Sequence, residues 1–444
     1  MSADRMIRFN PTLCFSVLIT LVFVKSTWAD ESWTLDSWNV ENSARLSGYG
    51  GFYGDDSSQL FDNRQQQLSL RLMSTGSSSD QQHTLTGHLK LRHQTFSSPS
   101  VAQGSSESAI DYFRAAEISD NRLWNSCDEV SQGDICFQGG YDLDRLFYRY
   151  QPDSGQYRVT LGRQAIDWGT GRFWQPLNLF GSFAPTDLDT DYKAGIDALV
   201  GEYYPGYFSS ITLAYLPTSH AIKEQIIANT GVDEDSLALH YRTLMESGGE
   251  VTLLAGRVMQ RSTLGFAWES SFDLTDNLSG IGSRIEAVLY EQDGVLSGSE
   301  GQTEKRSALM IAGMDYQTQS DNELLDGILI NLELYQASNG ADKASELNKV
   351  RQSALVKQGI QPQLSEQVIG LGLGKTLSPL WQGNYTGLFS TLSGGASQLH
   401  QISAVYSLSD ESDLLLSLLS SYGSDASEFG PVPTSLSARL RLYF

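Results

Sequence analysis

Apolar and polar side chains alternate along this chain in runs of about ten residues, and "TSLSARLRLYF" at 434–444 shows the pattern most plainly. On a period-two ribbon Leu436, Ala438, Leu440, Leu442 and Phe444 share one face, while Ser435, Ser437, Arg439 and Arg441 share the other. The pattern predicts strands at 43–53, 65–74, 82–95, 142–151, 156–163, 196–204, 208–216, 236–245 and 249–260. It continues at 262–273, 281–292, 305–318, 326–337, 366–378, 382–392, 397–408, 412–422 and 433–444. The count is about 18, within a range of about 16 to 18.

The connections between these runs sort by parity. Odd-numbered ones are long, among them 96–141, 164–195, 217–235, 293–304, 338–365 and 423–432, and even-numbered ones are short, such as "PDSG", "PGY", "ESGG" and "SDES". Two odd connections, near Gln260 and Gly394, are short as well. A transmembrane barrel with long loops on one side and tight turns on the other has this property, and a soluble sandwich or β-helix has no reason for it. The expected fold class is therefore all-β: a transmembrane antiparallel β-barrel, closed where the C-terminal strand meets the first.

The N-terminal segment fits that destination. Arg5 and Arg8 precede an apolar run from Leu13 to Val24, which is too short to span a bilayer as a helix, and Thr27 and Ala29 supply small residues for cleavage. The expected organisation is a signal peptide at 1–29, a short periplasmic lead at 30–42, and one barrel domain at 43–444 with a lumen loop at 164–195.

Composition agrees. Only 18% of residues are charged and 40% are hydrophobic, with 41 Gly, 20 Tyr and 18 Phe, whereas a soluble chain of this length carries more surface charge. The net charge of −22 becomes about −24 once Arg5, Arg8 and Lys25 leave with Asp4, which excludes nucleic acid as a partner class. Cys14 lies in the signal segment. Cys127 and Cys136 enclose the polar stretch "DEVSQGDI" and are expected to form one disulfide closing a surface loop; no His lies near enough to suggest a metal site.

The alternation also assigns faces. With leucines outward, Arg45, Arg71, Lys90, Arg92, Arg145, Arg149, Arg158, Arg439 and Arg441 turn inward as a basic wall on strands eighteen and one to five, with Arg149 expected opposite Arg158 across the "PDSG" turn. Like charges on one ladder need an acidic answer. The loop "QAIDWGTGRFWQPLNLFGSFAPTDLDTDYKAG" supplies Asp167, Asp187, Asp189 and Asp191 among aromatic and apolar residues poorly suited to open water. It is expected to fold into the lumen, pack on the wall and narrow the pore, giving either a transverse field that screens solutes or a set of purely structural ion pairs. Glu286, Glu333 and Arg284 on the far wall are too mixed in sign to decide between them.

Catalysis is not expected. His83, His88 and His93 are five apart and alternate faces, and the chain carries no Gly-x-Ser-x-Gly elbow and no zinc motif. No cofactor and no metal are called for.

The stretch "LGRQAIDWGTGRFWQPLNLF", with "FAPTDLD" and "YKAGIDAL" after it, resembles a motif of porin-like Gram-negative outer-membrane barrel proteins. In that motif a Gly-Arg-Gln strand end leads into a Trp-Gly loop and an Asn-Pro or Ala-Pro turn. The matching positions are Gly162, Arg163, Gln164, Trp168, Gly169, Pro176, Pro185 and Asp197, and Arg172 and Trp174 lie within the same loop. The resemblance implies a channel or transport role and residence in the outer membrane after export, among outer-membrane lipid and lipopolysaccharide. Phe444, Leu442 and Leu440 likewise resemble the terminal signal read by the barrel assembly machinery. The expected function is passive passage of small solutes, with homo-oligomers compatible with the pattern. A dedicated glycan or hydrophobic-compound transporter and a non-conducting anchor or assembly factor are the alternatives.

Overall fold

Each alternating run becomes a strand, and each strand finds its hydrogen-bonding partners in its sequence neighbours. The computed structural model describes residues 33–35, 38–54, 63–98, 121–131, 134–217, 235–246, 248–275, 278–292, 306–357 and 359–444. The expected signal peptide at 1–29 lies outside them.

The barrel strands are β1 (Trp38–Tyr53), β2 (Asn63–Ser78), β3 (His83–Phe96), β4 (Cys136–Tyr150), β5 (Tyr157–Gln164) and β6 (Ile196–Gly206). Next come β7 (Ser209–Leu216), β8 (Ser236–Leu244), β9 (Glu250–Val258), β10 (Arg261–Phe272), β11 (Ile281–Gln292) and β12 (Arg306–Gln317). The wall is completed by β13 (Leu329–Ala337), β14 (Gln367–Ser378), β15 (Trp381–Ser390), β16 (Ser397–Ser409), β17 (Ser412–Tyr422) and β18 (Ser435–Tyr443). All pair antiparallel with their neighbours, and β18 pairs with β1, Leu442 opposite Leu46 and Leu440 opposite Gly48, so the 18-stranded wall closes. At the seam Phe444 exchanges backbone hydrogen bonds with Ala44 at 2.9 and 3.0 Å. β1 begins at Trp38, inside the stretch expected to be a lead, and pairs there with Ser78.

The parity of the connections holds in three dimensions. Short turns at 79–82, 151–156, 207–208, 245–249, 379–380 and 410–411 mark one end of the cylinder. The long connections 97–135, 165–195, 217–235, 338–366 and 423–434 leave from the other. The short odd connection at Met259 and Gln260 is a two-residue turn with both residues at positive φ, 48° and 61°. Three features were not visible in the sequence pattern, the first a short strand, Trp33–Leu35, that pairs antiparallel with the start of β1. Asn121–Asn125 folds back as a ribbon on the loop-end half of β4, and Leu347–Arg351 and Ala354–Lys357 are short helices in the 338–366 connection. Cys127 and Cys136 are joined as a disulfide beneath Phe96, at the root of the ribbon.

Faces follow the alternation. Leu161, Leu264, Leu289 and Ile402 stand outward and well exposed, as a lipid-facing belt requires. On the inner face the wall from β6 round to β16 is apolar in its loop-end half: Val200, Val288, Leu309, Tyr335, Val368 and Leu388 are all buried there. The 165–195 connection, folded inside the cylinder, covers them together with Ile360 and Phe429 of the 338–366 and 423–434 connections.

Candidate functional site

The connection leaves the wall at Gly162, whose φ of +114° and position favour glycine, since an added Cβ would lie 2.3 Å from the carbonyl oxygen of Leu146. Gln164 closes the exit by donating from Nε2 to the carbonyls of Thr160 and Ala198, both at 3.2 Å. Arg163 and Asp197 form a two-pronged ion pair at 2.9 and 2.8 Å, tying the start of the loop to its return strand. Arg163 is thus part of the loop's base on β5 and not of the loop itself.

Inside the cylinder the first half of the loop is held by the far wall. Glu333 on β13 accepts the backbone N–H groups of Arg172, Phe173 and Trp174 at 2.9, 3.1 and 2.9 Å. Glu286 on β11 accepts those of Thr170, at 2.7 Å, and Gly171, at 3.3 Å, together with the Thr170 hydroxyl and the Leu177 N–H. Both carboxylates are almost completely buried, and this ring of donors compensates the loss of water. Around them Trp174 lies against Tyr335 with ring centroids 5.2 Å apart, Phe173 fits against Gly370 and Gly372, and Trp168 stacks on His240 at 4.8 Å. Burying Ile166, Phe173, Trp174, Leu177 and Phe180 stabilises this arrangement by roughly 1.5–3 kcal/mol per side chain.

The second half reaches the opposite wall. Arg45 donates to both oxygens of Asp189 at 2.7 and 2.8 Å and to Asp191 at 2.7 Å. Arg439 also pairs with Asp189, and Arg441 meets Asp191 at 3.1 Å and Asp413 at 2.7 Å. Tyr192 lies between, with the guanidinium groups of Arg45 and Arg71 at 4.9 and 4.5 Å from its ring. Burial opposes charge on Asp189, but the Arg45 hydrogen bond and the charges of Arg439 and Arg45 outweigh it and hold this carboxyl below the usual range. The loop therefore bridges the lumen from wall to wall.

The expected site divides accordingly. Arg45, Arg439 and Arg441 touch the loop acids directly, so in this sector the charges of wall and loop are paired. Arg71 pairs with Asp144, which stands at a bulge where His88 faces Arg145 and Leu89 faces Leu143. Arg145 donates to the carbonyl of Lys193 at 2.9 Å. Arg149 lies opposite Thr160 rather than Arg158, because the 151–156 turn is wider than a tight "PDSG" hairpin, and Arg158 forms its own two-pronged pair with Glu202. Lys90, Arg92 and Arg149 stand half-buried on the inner face, and the Arg149 Nε has no hydrogen-bond partner among the described residues.

Two of the loop acids do not reach the wall. Asp187 caps the Ala184 N–H at 2.7 Å, and burial pushes its carboxyl up. Asp167 stays well exposed and accepts from Asn178 at 2.7 Å and from Lys193 at 3.2 Å. Lys193 also donates to Asn178 at 2.5 Å, and burial lowers its ammonium to about 8 against the pull of Asp167. Arg172 is exposed on the loop surface. Sequence reasoning missed the two-carboxylate anchor; its signal was a single acid at an inward position within each of the apolar runs "IEAVLY" and "LELY".

No family model matches the chain, and no curated protein matches it. Solved structures do. The chain is similar to Pseudomonas aeruginosa OccK7 (OpdD) at 9% identity, over 92% of this chain and 99% of that one, with a TM-score of 0.54. It is similar to Pseudomonas aeruginosa OccK5 (OpdH) at 8% identity, over 91% and 97%, with a TM-score of 0.55. Acinetobacter baumannii OccAB3 aligns at 9% identity over 92% and 99%, with a TM-score of 0.52. What is shared at this identity is the 18-stranded barrel fold.

Proposed function

We propose that this chain is a porin-like passive channel for small solutes, resident in a Gram-negative outer membrane. The observation that carries the reading is the asymmetric filling of the lumen. The loop seals itself by apolar packing and by Glu286 and Glu333 against one side of the cylinder. On the side formed by β1 to β4 the loop touches the wall through Arg45, Arg71 and Arg145, and beside those contacts Tyr49, Gln67, Lys90 and Arg92 stay half-buried. Water and solutes would follow that side.

Two sectors then have two roles. The clamp of Arg45, Arg439 and Arg441 on Asp189 and Asp191 fixes the loop and sets the width of the passage. Lys90 and Arg149 present positive charge to whatever passes, and a low-dielectric wall strengthens that field. The channel would favour anions over cations. No cofactor enters this scheme, and gradient-driven flow needs none.

Purified protein in a planar bilayer tests the proposal. The expected record is a steady ohmic conductance whose reversal potential in a salt gradient shows anion preference. A closed barrel under all voltages would overturn it.

A further inference from the structure

Next to the clamp, on the loop-end half of the inner wall, neutral hydrogen-bonding groups continue the lining, with the Arg439 guanidinium 5.3 Å from the ring of Tyr49 at their border. Tyr49 and Tyr53 on β1, Gln65 and Gln67 on β2 and Gln94 on β3 share the inward face, with Tyr49 opposite Gln67 and Gln67 opposite Gln94. The hydroxyls of Tyr49 and Tyr53 lie 2.6 Å apart, Tyr53 donates to Gln65 Oε1 at 3.2 Å, and Gln94 Nε2 donates to Gln67 Oε1 at 2.9 Å. Gly51 makes the pairing of the two phenols feasible, since a Cβ there would lie 2.5 Å from the Tyr49 hydroxyl and 2.9 Å from that of Tyr53.

These bonds use only part of the groups' capacity. With Tyr53 donating to Gln65, the Tyr49 oxygen keeps acceptor capacity, the amide nitrogens of Gln65 and Gln67 keep N–H donors, and the Gln94 carbonyl keeps its lone pairs. Tyr49, Tyr53, Gln65 and Gln67 are half-buried, and Gln94 is buried at 8% exposure. Donors and acceptors thus alternate over three adjacent strands, without a carboxylate or a cation among the five side chains. The solute chemistry that answers such a surface is a row of hydroxyls, each of which donates and accepts at once. An ionised carboxylate group offers acceptors alone and would leave Tyr49 and Gln94 unanswered.

We infer that Tyr49, Tyr53, Gln65, Gln67 and Gln94 form a subsite for a neutral polyhydroxylated solute of the sugar type, held ahead of the narrow zone at the Arg45 clamp. The inference rests on the channel reading for the subsite's purpose, though not for its binding. Amide and phenol groups exchange hydrogen bonds with hydroxyls quickly, so such a subsite concentrates the solute without trapping it.

The test uses the full-length barrel in detergent, titrated calorimetrically with maltotriose, with sodium gluconate and sodium phosphate as comparison probes. Saturable, weak binding of maltotriose is expected, about fivefold to tenfold weaker in Gln67→Ala and Gln94→Ala. Gly51→Ala, which separates the phenols without removing them, should weaken it too, and unchanged heat-modifiable migration of each variant confirms that it folds. Maltotriose should also interrupt the single-channel current of the wild type, with shorter interruptions in the variants. No maltotriose binding, or binding indifferent to all three variants, overturns the subsite even if the channel conducts. Binding confined to gluconate or phosphate overturns it as well. Binding by a barrel that does not conduct keeps the subsite and removes the channel reading.

Discussion

Arg45 and Asp189 meet through two parallel hydrogen bonds of 2.7 and 2.8 Å, joining the first strand of the wall to a loop residue 144 positions away. The guanidinium is almost fully buried, so this pair and the Arg439 contact beside it belong to the interior of the assembled barrel and not to its solvated surface. The distinction has energetic weight: removing one partner of a buried pair costs several times what a surface pair contributes.

The opposite anchor should therefore be just as sensitive. Glu333→Gln puts an amide N–H₂ where three backbone N–H groups point, leaving at least one of them unanswered. A loss of about 2–4 kcal/mol is expected, seen as a lower temperature for the heat-modifiable shift on gels. Glu286→Gln should act in the same direction. Unchanged unfolding temperatures in both variants would show that the loop is held by apolar packing alone.

At the loop's base, the Arg163–Asp197 pair should couple. Alanine at each position separately and together forms a double-mutant cycle, and an interaction of about 1–3 kcal/mol is expected for a two-pronged, partly buried pair. Additive effects would mean that the loop enters and leaves the wall independently of this contact.

Selectivity should respond to Arg149 and Lys90, which are not part of the clamp. A unit charge about 8 Å from a passing ion contributes about 0.5 kcal/mol in a water-like medium. Because the same charge repels a cation by as much, Arg149→Ala should lower the anion-to-cation permeability ratio about fivefold at low salt and less at high. Arg441→Ala should chiefly destabilise the loop, because its charge is already answered by Asp191 and Asp413.

Acidity should loosen the clamp in a defined direction. Asp189 is held below its unfolded value of about 3.9, so its stabilisation is fully present above that value and is lost as pH falls through the lower, folded one. The difference in unfolding temperature between wild type and Asp189→Asn should be constant from pH 7 to about 5 and shrink as pH falls below about 4. Lys193 titrates near 8 in the fold and at about 10.4 unfolded, so stability should rise between those values as the unfolded chain holds the extra proton. Anion preference should fall across pH 8 by the same deprotonation, and Lys193→Gln should abolish that step.

How far the sequence reveals this arrangement depends on what kind of fact is asked for. Face assignment is local: one leucine outward fixes every neighbour on its strand, so the inward direction of Arg71 and Arg439 is readable from their own runs. Register across a turn is not local. The 151–156 turn decides whether Arg149 faces Arg158 or Thr160, and "PDSG" alone does not state its width. The bulge that turns both Asp144 and Arg145 toward the lumen side breaks the alternation itself, and no residue of "YDLDRLF" announces it. The acidic half of the loop advertises its partners by charge. The other half is held through backbone N–H groups, which every residue but proline carries, so the sequence shows the acceptors Glu286 and Glu333 without showing what they accept.

The claim that matters most is that this barrel conducts and that the 165–195 loop limits the flow. Single-channel recording of the wild type beside a variant in which residues 167–194 are replaced by a short Gly-Ser turn tests both halves at once. A steady, anion-preferring current in the wild type and a several-fold larger, less selective one in the variant is the predicted result. No current from either protein, or identical currents from both, would contradict it.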